Sequence, residues 1–299
     1  MKIAFLCLTH NNLQYLSILS EYYCSDNDDL FIHLDSNVEN DYKGEFNPRV
    51  NWVEDDKRKR TRWGTFEIVE ATIELMKIAT KKGIYDRYIL ISGSDIPLVD
   101  KQTLKERINN KFEYVSVWNM IEKNNVKNST LYNEFFRYNN NNILNYGECR
   151  ANKFKLYSFL ILKKILYKMP FKFSGKFERY AKGSQWWCVS HTLCIEFLEA
   201  FNNGIGTEFK YMHAPDEKFF HTVALNSKKL GQNLKSKKSI ESCIHGIHYI
   251  DWKGDLNPQL EFSFVDIEKA MGSGALFARK IKNKDISLFQ KFVINRLMK

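Results

Sequence analysis

Four short runs of nearly unbroken apolar residues fall within the first 118 positions. Stretches of helical spacing follow the first run and precede the third. That alternation constrains the fold more than any other feature. "IAFLCL" (3–8) is continuous rather than alternating, the mark of a strand covered on both faces. A helix is predicted over 13–23. "DLFIHLD" (29–35) is a second strand, ending on Asp35. Residues 66–80 read as a helix with apolar residues on more than one face. "DRYILISGSD" (86–95) is a third buried strand running into a Gly/Ser turn, and "FEYVSVW" (112–118) a fourth. The pattern predicts an α/β fold, a Rossmann-type, mostly parallel sheet flanked by helices. In such sheets ligands sit beyond the carboxyl ends of the strands. Asp35 and the Ser92–Asp95 turn are therefore the first candidates.

The chain is long enough, at 299 residues, for one large domain or two modest ones, and 14% aromatic content argues against disorder. The formal charge of +10 points to a polyanionic partner, an anionic membrane surface or a phosphate-bearing ligand. Six cysteines include no C-x-x-C pair, and Cys7, Cys188 and Cys194 sit in apolar runs, as reduced buried thiols would. "MKIAFLCLTHNN" is short for a signal-peptide core, and no run reaches the length of a membrane span. A soluble, cytoplasmic protein is expected. Residues 119–145 contain ten asparagines in 27 and form a long polar connection. Residues 153–182 mix lysines with Leu, Ile, Phe and Tyr. They read either as a helix packed on the domain or as a membrane-surface helix on the inner face of the cell membrane. "LFQKFVINRLMK" (288–299) has the same character.

Several local patterns carry chemistry. "APDEKFFHTV" (214–223) reads as a helix with Pro215 at its first position. On a helical wheel Asp216 points near the centre of the stripe Phe219, Phe220, Val223 and Ala224, and Glu217 lies on its edge. Two readings stand: carboxylates suited to a helix N-terminus, or Glu217 as a general base at the border of core and cleft. "ISGSDIPL" (91–98) places Asp95 just past a buried strand, as a capped turn or a nucleotide-sugar contact. "KGSQWWCVSH" (182–191) offers Gln185 for hydrogen bonds, with one tryptophan in the core and the other free to stack on a sugar. "GSGALFARKI" (272–281) sets Arg279 and Lys280 after an apolar anchor, either as solvated surface or as cations for a diphosphate. "KRKRTRWG" (57–64) is a basic run without a nucleic-acid fold signature. No His, Cys or carboxylate set completes a metal shell.

Taken in order, WG (63–64), SGSDIPL (92–98), GSQWW (183–187), PDE (215–217) and FARK (277–280) resemble the Core-2/I-branching β-1,6-N-acetylglucosaminyltransferase family, which includes the peptide xylosyltransferases. The resemblance spans roughly 1–285. It implies a single GT-A-like domain over 1–285, with a basic amphipathic tail at 286–299. A nucleotide-sugar half (1–118) and an acceptor half (151–285) would flank the Asn-rich loop (119–150). It further implies inversion at the anomeric carbon without a metal or other cofactor. Glu217 falls on the base, Lys280 on the donor diphosphate, and Asp35, in His33-Leu34-Asp35, on the uridine together with backbone near Leu8. Trp63, Gly64, Ser94, Asp95 and Arg279 complete the expected donor set. Gln185, Trp186, Trp187 and Trp252 form the acceptor set, with Pro215 and Asp216 as structural neighbours. The sequence departs from the family where a second diphosphate cation is expected near Asn257, so Arg279 or Lys253 would substitute. An anchor, stem and cysteine framework like those of the animal members are not expected here.

The function expected is transfer of a sugar, GlcNAc first, from a UDP-sugar to a hydroxyl of a surface glycan or lipid-linked glycan. UDP-xylose or another UDP-hexose is the alternative donor. A different class is an inactive protein that binds polysaccharide or membrane through its positive charge. Nucleic acid is not an expected partner.

Overall fold

Every second residue of β1 (Ile3–Thr9) faces a different core. Ile3, Phe5 and Cys7 pack with Tyr15, Leu16 and Leu19 of α1 (Leu13–Tyr23). Ala4 and Leu6 pack instead with Val69, Ile73 and Met76 of α2 (Glu67–Lys82). Both faces of the strand are thus covered, which is why its apolar run is unbroken. The computed structural model describes residues 1–39, 44–108, 110–123, 157–158, 161, 175–210, 212, 214–227, 244–250, 263–281 and 283–298.

β1 pairs in parallel with β2 (Asp29–Leu34) on one side and β4 (Arg87–Ser92) on the other, while β2 pairs with β3 (Val50–Trp52). Register sets Thr9 against Leu34 and Leu8 against Ser92, so three strands end at one edge. At the opposite edge buried Asp28 and Asp29 meet Lys101 and Lys82 at 3.2 and 2.8 Å.

The fourth expected strand is placed differently. Within 112–118, Tyr114 makes only an isolated antiparallel bridge to Cys188, and β6 (Val117–Glu122) starts later. It pairs antiparallel with β7 (Arg179–Gly183), outside the main sheet. The fourth parallel strand is β3, whose three half-buried residues carry no periodicity to read. β8 (Cys188–Ser190) closes the far side of the sheet, antiparallel to β4. The sheet is therefore mostly parallel, an α/β fold of GT-A-like character.

A second sheet joins β5 (Ile96–Pro97) to β9 (Ile244–His245), β10 (His248–Ile250) and β11 (Phe277–Arg279). Among the described residues the remaining α-helices are α3 (Lys101–Arg107), α4 (His191–Asn202), α5 (Phe219–Asn226), α6 (Ile267–Gly272) and α7 (Ile286–Phe292), the last prolonged by a π-turn (Val293–Leu297). Phe289, Phe292, Val293 and Leu297 belong to the core on the α1 side of the sheet.

Cys7, Cys24, Cys188 and Cys194 are buried free thiols, each pushed above its ordinary range by burial. Among the described residues no helix is long and apolar enough to cross a membrane. Most of 119–150 and of 153–182 lies outside the described residues, as do Trp252, Lys253 and Asn257.

Candidate active site

The edge where the parallel strands end opens into a cleft of about 190 Å³. Leu8, Thr9, His10 and Asn11 form one side as they leave β1, and Ser92, Gly93 and Ser94 the next as they leave β4. These two exits touch: a Cβ on Gly93 would sit 2.1 Å from Thr9 Oγ1, so only glycine fits there. Thr61, Trp63 and Ile68 make a third wall, and Gln185, Trp186, Arg279 and Lys280 the fourth.

Asp95 does not line this cleft. It is fully buried beneath it, accepting hydrogen bonds from Ser92 N (2.8 Å) and Ser92 Oγ (2.6 Å). Arg279 Nε stands 3.6 Å from one carboxylate oxygen and His248 Nε2 3.4 Å from the other. Burial alone would raise this carboxyl, but Arg279, His248 and Ser92 outweigh it and hold it below its ordinary value. Burial in turn pulls Arg279 down to about 10, against the opposing pull of Asp95. The guanidinium lies 3.6 Å over the Trp186 ring, a cation–π contact that fixes its plane. Its Nη1 has no hydrogen-bond partner among the described residues.

Asp35 plays a parallel part on the β2 side. Its carboxylate accepts from Asn37 N and Nδ2 (2.8 and 3.0 Å) and from Thr61 N (2.7 Å) and Oγ1. Burial raises its carboxyl, and those hydrogen bonds bring it below the ordinary value. It therefore holds Thr61, a wall residue, rather than standing in the wall itself. In the basic run, Lys57 pairs with Glu54, Arg58 with Asp55 and Arg62 with Glu67. Those charges are spent within the domain.

Pro215, Asp216 and Glu217 form a separate 3₁₀ turn, not the first turn of α5. Ala214 before it is left-handed (φ 48°), and Lys218 after it breaks the helical path (φ −127°). The turn is pinned to the WG pair, since Ala214 N donates to Gly64 O at 3.1 Å. Glu217 is outside the cleft lining and about one quarter exposed, with Oε2 3.3 Å from Lys182 Nζ. Lys182 is the penultimate residue of β7, which leads through Gly183 and Ser184 to Gln185 in the cleft wall. A Cβ on Gly183 would lie 1.6 Å from Ser116 O, so this approach also demands glycine. Neighbouring Ser184 is anchored through its carbonyl, 2.7 Å from Nε2 of buried His221, which therefore donates. Burial depresses His221 to about 4, so it is neutral. Asp216 is buried, and its Oδ1 has no hydrogen-bond partner. Burial first, then the charge of Glu217, push its carboxyl up to about 7.

The family model of the Core-2/I-branching enzyme matches residues 3–271. The chain belongs to the Core-2/I-branching enzyme family. No curated protein matches it individually. The family is one of glycosyltransferases, so this branching-family enzyme takes a sugar donor and a glycan acceptor.

The sites that the resemblance implied are distributed unevenly. Leu8, Trp63, Ser94, Arg279 and Lys280 of the donor set line the cleft, with Gly64 beside it; Asp35 and Asp95 support its walls. Of the acceptor set, Gln185 and Trp186 line the cleft, but Trp186 is a correction: it is 5% exposed with the Arg279 guanidinium over its ring, not a tryptophan free to stack on a sugar. Trp187 is a second correction: it is fully buried against Phe197 and Phe220, a core residue no acceptor can reach. Trp252 lies outside the described residues.

Thr9, His10, Asn11, Thr61 and Ile68 are wall residues that the sequence reading passed over. The first three follow directly from the strand-end rule once β1 is placed. Thr61 was hidden in the basic run and joins the site through a contact 26 residues away. His10 is depressed by burial and by the Lys280 charge, against the pull of Asp35, so its ring stands near that lysine. Among the described residues no group of three His, Cys, Asp or Glu side chains could hold a metal ion.

Proposed function

We propose that this branching-family enzyme is an inverting transferase that needs no metal ion. It would move a sugar, with GlcNAc as the first candidate, from a UDP-sugar to a hydroxyl of a surface or lipid-linked glycan, acting in the cytoplasm and leaving a β-linkage. Glu217 takes the proton from the acceptor hydroxyl. That oxygen attacks the anomeric carbon as the bond to the diphosphate breaks, and UDP departs from the opposite face. Lys280, helped by Arg279, offsets the charge gathering on the leaving oxygens. The single observation that carries the reading is the pair of adjacent cations in one wall of a strand-end cleft. The outer one is half-exposed, and the inner one is stacked and buried with an unfilled N–H donor. The turn bearing Glu217 approaches the same cleft through Gly64, neighbour of the exposed Trp63.

Glu217→Gln is expected to keep UDP affinity by calorimetry while transfer falls by about 10²–10⁴-fold, the usual contribution of a general base. UDP release from UDP-GlcNAc, UDP-xylose and other UDP-hexoses, read in EDTA, identifies the donor. Turnover of the amide variant at the wild-type rate removes Glu217 as the base. A strict magnesium requirement removes the cationic clamp.

A further inference from the structure

Among the described residues, one face of the last helix packs inside the molecule. α7 and the π-turn that prolongs it bury Phe289, Phe292, Val293 and Leu297. Phe289 and Phe292 also meet Phe264, at ring-centroid distances of 5.3 and 6.3 Å. The opposite, exposed side carries Ser287, Leu288 and Lys291 on α7, with Lys284 on the 3₁₀ turn before it and Ile294, Asn295 and Met298 on the π-turn and its cap. The apolar members are 44%, 47% and 39% exposed, and both lysines are exposed. Val265, on the adjoining turn, is 85% exposed. Of the nearby acids, Asp266 shares the turn of Val265 and is half-buried, while the other two face other partners. Asp285 accepts from Ser263 Oγ and Phe264 N, both at 3.0 Å, and Glu268 pairs with Arg296 at 3.3 Å.

A solvent-facing helix ordinarily mixes both signs of charge and few large apolar groups. This one sets two lysines and three large apolar side chains beside the uncharged Ser287 and Asn295, on a chain of net charge +10. We propose that the outer face of α7 docks on an anionic lipid bilayer. The helix would lie in the plane of the interface, with Leu288, Ile294 and Met298 in the headgroup–acyl boundary and Lys284 and Lys291 reaching acidic headgroups. Charge complementarity favours this occupant. A bilayer offers negative charge above apolar depth along the whole helix, which spans about 18 Å over twelve residues. The face lies outside the cleft, so the proposal stands whatever sugar is transferred.

The test is co-sedimentation of the full chain with phosphatidylcholine vesicles, with and without phosphatidylglycerol. Binding is expected only with phosphatidylglycerol and should fade as salt rises. Lys284→Glu with Lys291→Glu should weaken partitioning by about thirtyfold, and Leu288→Ser with Ile294→Ser by about tenfold. Because all four positions are exposed, both variants should melt like the wild type. Tyr157→Ser with Ile161→Ser, exposed side chains elsewhere, should leave partitioning unchanged. The proposal is overturned if the wild type ignores anionic vesicles, or if both α7 variants bind as tightly as it does. It is also overturned if binding follows the 157/161 variant, or if light scattering shows a dimer that the Leu288/Ile294 variant loses, which would make this a protein–protein face.

Discussion

The turn after β4 and the turn before α5 both bury a carboxylate near the cleft, and they treat it in opposite ways. Asp95 sits among two Ser92 donors, Arg279 and His248, and is held ionised. Asp216 has burial, a neighbouring Glu217 and an unpartnered oxygen, and its carboxyl is raised to about 7. Burial is similar, so the partners decide: a charge met by Arg279, His248 and Ser92 becomes a fixed scaffold, and one met by backbone N–H groups and Lys218, against the charge of Glu217, becomes a titrating group. The first region orients Arg279 under Lys280. The second sets the electrostatic surroundings of Glu217.

The contrast can be broken most forcefully at Asp95. Asp95→Asn leaves the Arg279 guanidinium buried without its counter-charge and should cost about 3–5 kcal/mol in urea denaturation. UDP affinity should fall with it, because Arg279 loses its anchor. The same substitution at the other turn should act with the opposite sign. Asp216 binds its proton more tightly folded than unfolded, so its burden on stability is absent below about pH 4. That burden grows as pH rises toward 7 and then levels off. Asp216→Asn should therefore gain on the wild type by roughly 2–3 kcal/mol between pH 5 and pH 8, measured by denaturation at each pH. A constant gap would show that Asp216 does not titrate in that range. The smallest effect belongs to Lys182→Met. Its ion pair with Glu217 is partly exposed, so stability should change by less than about 1 kcal/mol. If Lys182 holds the base in position, the variant should still slow transfer more than it weakens UDP binding.

The legible parts of the chain were those whose pattern is local. Ile3–Thr9, Leu13–Tyr23 and Glu67–Lys82 carry their period within one element, and the structure keeps them almost to the residue. The cleft side followed too, because parallel strands end together. What was missed depended on a partner far along the chain. Trp186 and Trp187 are both buried in one core cluster, and that only Trp186 reaches the cleft turns on Phe197, Phe220 and Arg279. Pro215–Glu217 separates from α5 because Ala214 is tied to Gly64, 150 residues earlier. β3 is too short to announce itself, and Tyr114–Val117 takes its pairing from Cys188 and β7.

By itself, then, the order of residues determined the α/β architecture, the edge at which a ligand enters and the family. All three rest on burial periodicity and motif order, which neighbours along the chain express. The tertiary structure alone decided which carboxylates are scaffold and which are free to titrate. It also decided that Arg279 is stacked on Trp186 in the cleft wall and that Glu217 faces Lys182. Those are properties of charges a few ångströms apart in space, and their energies depend on burial and partners that no local stretch encodes.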